Sequence, residues 1–124
     1  MSHFLVLVVA DSEEQVDKLL TPYDENGEWF KDGSRWDWYQ LGGRWTGYLD
    51  GYNPVLGRTI IDKVCENPPI AILSPDGAWH ERERVGWFGS TIGPKEEDEV
   101  WKGKVREILT KNLGKRVFVV DCHV

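Results

Sequence analysis

The sequence predicts an α/β (α+β) fold, most simply a ferredoxin-like βαββαβ sandwich with an inserted Trp/Gly-rich loop or hairpin. Three observations lead there. The runs Phe4 to Val9 and Val117 to Val120 are continuous, apolar and rich in β-branched residues, the pattern of strands buried on both faces. Between them, amphipathic helical patterns alternate with short strand patterns. Residues 23 to 58 break the alternation with glycine, tryptophan, tyrosine and aspartate, more than a simple connector needs. In this topology the last strand lies antiparallel to the first.

After the first strand, Ser12-Glu13-Glu14-Gln15 reads as a capping box, with Ser12 at the N-cap and Gln15 at the third helical position. Val16, Leu19 and Leu20 form the apolar face of the helix, and Pro22 ends it. The glycine-punctuated stretch, from Gly27 and Gly33 to Gly57, is expected to be irregular around one strand or hairpin near Trp36 to Leu49. Thr59 to Glu66 predicts a second helix, stopped by Asn67-Pro68-Pro69. Ile70 to Leu73 predicts a strand. Ser74-Pro75-Asp76-Gly77 is a turn, because Pro presets φ and Gly supplies a positive φ. A strand from Ala78 to about Phe88 follows, with Trp79, Glu81, Glu83, Val85 and Trp87 on one side and His80, Arg82 and Arg84 on the other. Gly93-Pro94 opens a helix carrying Glu96 to Glu99 at its positive end, Trp101, Val105, Ile108 and Leu109 on its buried face, and Gly114 beyond its last turn.

Composition limits the function classes. A chain of 124 residues, 40% hydrophobic, has the size and apolar content of a single domain (1–124) with its own core. Its net charge of -6 argues against general binding of duplex nucleic acid, which needs clustered Lys and Arg. The opening apolar run is short, lacks a basic leader and meets Asp11 at once, so it reads as a strand rather than an export signal. No stretch approaches a membrane span. Cys65 and Cys122 form no metal-binding or redox motif, and both are expected to be buried thiols in a reducing, cytoplasmic setting.

Two constellations carry chemistry. Trp38, Tyr39, Gly42, Gly43, Arg44 and Trp45 combine stacking planes, backbone able to approach a ligand, and a guanidinium fork for phosphate or carboxylate. They are not a P-loop, since no GK[ST] is present. The bland alternative is a glycine turn with Arg44 stacked on Trp45. The second constellation depends on topology. If the terminal strands pair, His3, Asp121 and His123 meet at one end of the sheet, where two imidazoles and a carboxylate suit a divalent metal or acid–base work. The bland alternative is polar strand ends meeting solvent. His80, Arg82 and Arg84 make a weaker basic stripe, most simply a charged strand. His123 is a poor base for Cys122, because neighbouring strand residues point to opposite faces.

Several segments resemble a family of small proteins encoded by tailed bacteriophages and prophages. They are Met1-Ser2-His3-Phe4, Tyr23-Asp24-Glu25-Asn26, Asp37-Trp38-Tyr39-Gln40 through Gly42-Gly43-Arg44-Trp45, Asp76-Gly77 with Trp79, Gly86-Trp87, and Val119-Val120-Asp121-Cys122-His123. Leu5 stands where the family pattern has Thr. The resemblance implies a phage or prophage origin and action in the bacterial cytoplasm, and it implies no activity.

The favoured functional expectation is a protein that binds a small anionic ligand, a nucleotide first of all, and so sequesters a host defence signal. The alternatives are a metal-dependent phosphoester hydrolase built on His3, His123 and Asp121, and an interaction module that inhibits a host factor. A homo-oligomer is compatible with each.

Overall fold

The computed structural model describes residues 2–25, 34–49, 51–85, 91–93 and 95–124. Seven strands and three α-helices lie among them: β1 (His3–Ala10), α1 (Glu13–Leu20), β2 (Trp38–Leu41), α2 (Arg58–Glu66), β3 (Ala71–Leu73), β4 (Trp79–Glu81), β5 (Arg84–Val85), β6 (Thr91–Ile92), α3 (Asp98–Thr110) and β7 (Arg116–His123). Five strands form one sheet in the order β2-β7-β1-β3-β4, and β5 and β6 form a separate ribbon. The α+β class and the antiparallel pairing of the terminal strands are as expected. The ferredoxin-like strand order is not confirmed. The parallel neighbour of β1 is β3, the first strand of the β3–β4 hairpin rather than the second, and β2 adds a fifth strand beyond β7.

The sheet is central because both of its faces are covered. Leu5, Leu7, Val9, Val117 and Val119 point to one face and pack with Ile60, Ile61 and Val64 of α2 and Trp101, Val105 and Leu109 of α3. Phe4, Val6, Val8, Phe118 and Val120 point to the other and pack with Val16 and Leu20 of α1 and with Trp36. This two-sided burial explains the unbroken apolar runs of β1 and β7. Trp101 is buried, and its indole N–H donates to the Pro69 carbonyl at 2.8 Å, tying α3 to the chain entering β3. Ile108, expected in the core, is only half-buried.

The local signals hold with adjustments. Gln15 accepts a hydrogen bond from the backbone N–H of Asp11, one residue before the expected partner, and Ser12 caps with no side-chain bond. The strand expected from Ala78 to Phe88 breaks after Glu81, and Arg84–Val85 pairs instead with Thr91–Ile92. Its proposed basic stripe is thereby dispersed. His80 meets the Ser74 hydroxyl, Arg82 pairs with Glu83, and Arg84 donates to the Ser34 carbonyl. The turn at Gly77 has the expected positive φ of 86°. Trp29, Trp87, Gly27, Gly33 and Pro94 lie outside the described residues.

The aromatic excursion lines the outer edge of β7. Trp38 to Leu41 pair with His123 to Val120, and Gly42 N–H donates to the Val119 carbonyl. The chain then leaves this line at Gly43 and rejoins it lower down, where Val119 N–H and Val117 N–H donate to the Tyr52 and Pro54 carbonyls. The part that leaves, residues 43–49, folds back over the face that packs α2 and α3, where Leu49 is buried and Trp45 and Tyr48 pack at the margin of the core.

Candidate functional site

β-sheet register brings the two terminal histidines together. His3 and His123 are direct cross-strand partners. Ser2 and Val124 exchange both backbone hydrogen bonds, so the neighbouring histidines occupy the non-hydrogen-bonded position, where side chains approach most closely. Their ring centroids are 5.0 Å apart at an interplanar angle of 77°. Both lie on the face that carries Leu5, Leu7, Val117 and Val119, at the end of the sheet beyond those core residues.

Each histidine has its own aspartate. His3 Nδ1 lies 2.7 Å from Asp121 Oδ1, and His123 Nδ1 lies 2.7 Å from Asp37 Oδ1. An ionised carboxylate only accepts, so each Nδ1 donates and Nε2 is the second nitrogen left on each ring. Asp121 is nearly fully buried, and its other oxygen, Oδ2, accepts the Arg44 backbone N–H at 3.0 Å. Gly43 explains how the backbone comes so close. A Cβ there would stand 2.4 Å from Asp121 Oδ2, and its φ is +51°. Only glycine fits both the space and the conformation without movement.

Trp38 is the third member of the row. It is the cross-strand partner of His123, its ring stands edge-on to both imidazoles at 6.3 and 6.4 Å, and it is 49% exposed. His3, Asp37, Trp38 and His123 line a broad, open depression. The surroundings are acidic. Burial, then the charges of Asp37 and Asp24, hold the Glu25 carboxyl above the usual carboxylate range.

The glycine-rich constellation is divided by the sheet. Tyr39 faces the opposite side from Trp38, and its hydroxyl donates to Asp17 of α1. Gly42 N–H is engaged by β7, Arg44 N–H by Asp121, and Arg44 itself is exposed. Trp45 stands with Tyr48 on the wall of a neighbouring cavity, which His3 also lines. So the second constellation, His3, Asp121 and His123, is assembled as the topology suggested, and Trp38 joins it. Gly43 and Arg44 serve it from behind, through Asp121.

Asp37 was not singled out from the sequence. Its role depends on β2 pairing with β7, and the Asp37 backbone N–H donates to the His123 carbonyl. Its position beside Trp38 at a strand start was the one available signal. As a metal set, the three expected residues are differently engaged, since Asp121 holds His3 rather than standing beside it as a third donor. Among the described residues no group of three or more His, Cys, Asp or Glu side chains is arranged to hold a metal ion. The two histidines retain the carboxylate-backed arrangement that also orients metal-ligating imidazoles. Cys122 is fully buried on the opposite face, and burial, then the Asp121 charge, push its thiol well above the usual range. No helix among the described residues is long and apolar enough to cross a membrane.

Comparison with protein-family models, curated proteins and solved structures gives no match.

Proposed function

We propose that this chain binds a nucleotide phosphoester at the His3–His123 end of the sheet and cleaves it by general acid–base chemistry. The observation that carries this reading is the pair of aspartate-backed histidines in direct register, each bonded through Nδ1 at 2.7 Å. Imidazole exchanges protons near neutral pH, and two of them side by side can divide the work. One, neutral at Nε2, takes the proton from the attacking water. The new P–O bond forms as the bond to the leaving oxygen breaks, and the second histidine, entering as imidazolium, returns a proton to that oxygen. Water and phosphodiester become a phosphomonoester and an alcohol, with protons conserved overall. The aspartates hold the rings in orientation and stabilise the imidazolium form, and each acid–base group contributes a factor of about 10²–10⁴.

Trp38 supports a nucleotide as the ligand. An exposed indole beside the histidines offers a stacking plane worth about 1–3 kcal/mol per base, tolerant of base identity. In the phage setting that the resemblance implies, the available substrates are the nucleotides and nucleotide signals of the bacterial cytoplasm.

The test is turnover of a panel of mono-, cyclic and dinucleotides by the protein and by His3→Gln and His123→Gln. Cleavage of at least one phosphodiester, reduced about 10²–10⁴-fold by either substitution with the melting temperature retained, is expected. Absence of cleavage across the panel, or cleavage indifferent to both substitutions, contradicts the reading.

A further inference from the structure

His3 belongs to two concavities. On one side it lines the open depression with Trp38 and His123. On the other it lines a more enclosed cavity of about 370 Å³, walled by Trp45 and Tyr48 and bounded by Pro68, Arg82 and Glu83. The two thus share, as a common wall, the residue proposed to move a proton. The more enclosed cavity has flat apolar walls and is bordered by polar side chains. Trp45 and Tyr48 pack against the core under α2 and α3, and the Tyr48 hydroxyl is held by the Asn67 carbonyl at 2.6 Å. Arg82 donates to Glu83 at 2.7 Å through Nη2, while its Nε is buried and without a hydrogen-bond partner. A buried donor left unpaired is costly, and a ligand acceptor can satisfy it once the Arg82 side chain turns to expose Nε.

We infer that this cavity is a second nucleoside subsite, so that the substrate is a dinucleotide whose scissile phosphate lies at His3 between one base on Trp38 and another in the Trp45–Tyr48–Arg82 cavity. The inference rests on the proposed acid–base reading and names its substrate class. The chemistry of the cavity favours a base over a second phosphate. Arg82 is already paired with Glu83 and stands 3.6 Å from Asp98, so its charge is answered within the protein. The cavity thus sets the Arg82–Glu83 pair, a donor beside an acceptor, between aromatic and proline surfaces. A nucleobase edge presents the matching acceptor and donor side by side, and its planar faces suit the walls. A mononucleotide fills one of the two concavities, and a dinucleotide fills both without a second association cost.

The test compares affinities by calorimetry on the intact chain, using a phosphorothioate-linked ApG dinucleotide against AMP and GMP separately, with plain ApG used for turnover. The dinucleotide is expected to bind at least about tenfold tighter than either mononucleotide, equivalent to about 1.4 kcal/mol. Arg82→Gln and Trp45→Phe, each with its melting curve, are expected to bring that ratio towards one. Equal affinities in the unsubstituted protein overturn the second subsite, whatever the variants do. So does a high ratio that both folded variants preserve. Cleavage of plain ApG with equal affinities removes the subsite and keeps the acid–base reading. A high ratio lost in the variants, with no cleavage, keeps the subsite and removes that reading.

Discussion

Gly43 and Asp121 meet where the chain turns off the edge of β7, and their contact reaches the histidines. The Asp121 carboxylate sits so close to the Gly43 backbone that an added Cβ would fall 2.4 Å from Oδ2. The same carboxylate holds His3 through Oδ1 and the Arg44 N–H through Oδ2. A glycine in a loop thus sets the position of a ring on another strand.

Gly43→Ala is accordingly expected to destabilise the fold by about 1–3 kcal/mol, the usual cost of a strained backbone, and to displace His3 as well. Gly47→Ala is the control, because a Cβ there meets nothing within 4 Å. Thermal melts of both variants, with histidine NMR signals read alongside, check this. A Gly43→Ala protein that melts with the parent and keeps its His3 signals would remove the contact from the account.

The two aspartates should respond differently to amidation. Asp121 is buried and receives donors from both His3 and Arg44, so the amide NH₂ in Asp121→Asn either opposes the Arg44 N–H or forces His3 to present an unprotonated Nδ1, which moves its ring proton to Nε2. Stability and any turnover are expected to fall together. Asp37 is more exposed than Asp121, with a side-chain accessibility of 24%, so Asp37→Asn is expected to lower turnover with a smaller loss in melting temperature. Denaturant unfolding beside kinetics separates the two, and equal stability losses would contradict the difference in burial.

Trp101→Ala is expected to cost about 3–5 kcal/mol, the range for a buried aromatic. Trp101→Phe is expected to cost less, mainly the bond to the Pro69 carbonyl. Urea denaturation distinguishes them. A loss below about 1 kcal/mol for the alanine variant would show that α3 is not seated as described.

The hairpin turn carries a pH dependence of known sign. The Ser74 hydroxyl, then the Ala78 N–H, hold the Asp76 carboxyl below its usual range. A depressed carboxylate contributes stability that is complete above its unfolded pKa, about 3.9, and lost as pH falls through the lower folded value. The melting-temperature difference between the parent and Asp76→Asn is therefore expected to be constant from about pH 5 to 8 and to change only below about pH 4. A change centred near neutrality would assign the effect to another group.

Much of this architecture was legible because it depends on local pattern. The apolar runs of β1 and β7, the Pro-Asp-Gly turn and the spacing of Trp101, Val105 and Leu109 each follow from periodicity or turn chemistry. The His3–His123 meeting was legible conditionally, since antiparallel pairing of the terminal strands follows from the assumed topology. The parallel β1–β3 pair was not legible, because neither strand's composition specifies its neighbour. Nor was Asp37, whose partner lies 86 positions away and is reached only through the β2–β7 register. The Gly-Gly-Arg segment was visible as unusual, but its backbone support of Asp121 required three-dimensional placement.

The central claim is that both imidazoles offer Nε2 to one ligand while their aspartates hold Nδ1. The most direct measurement is long-range ¹H–¹⁵N NMR of the histidine rings, without ligand and during titration with a phosphorothioate-linked dinucleotide. The free protein is expected to show Nδ1 as the protonated nitrogen of neutral His3 and His123, and the dinucleotide is expected to shift Nε2 of both rings together with the Trp38 indole signal. Protonation at Nε2 in the neutral rings, or a titration that moves the signals of neither histidine, would contradict it.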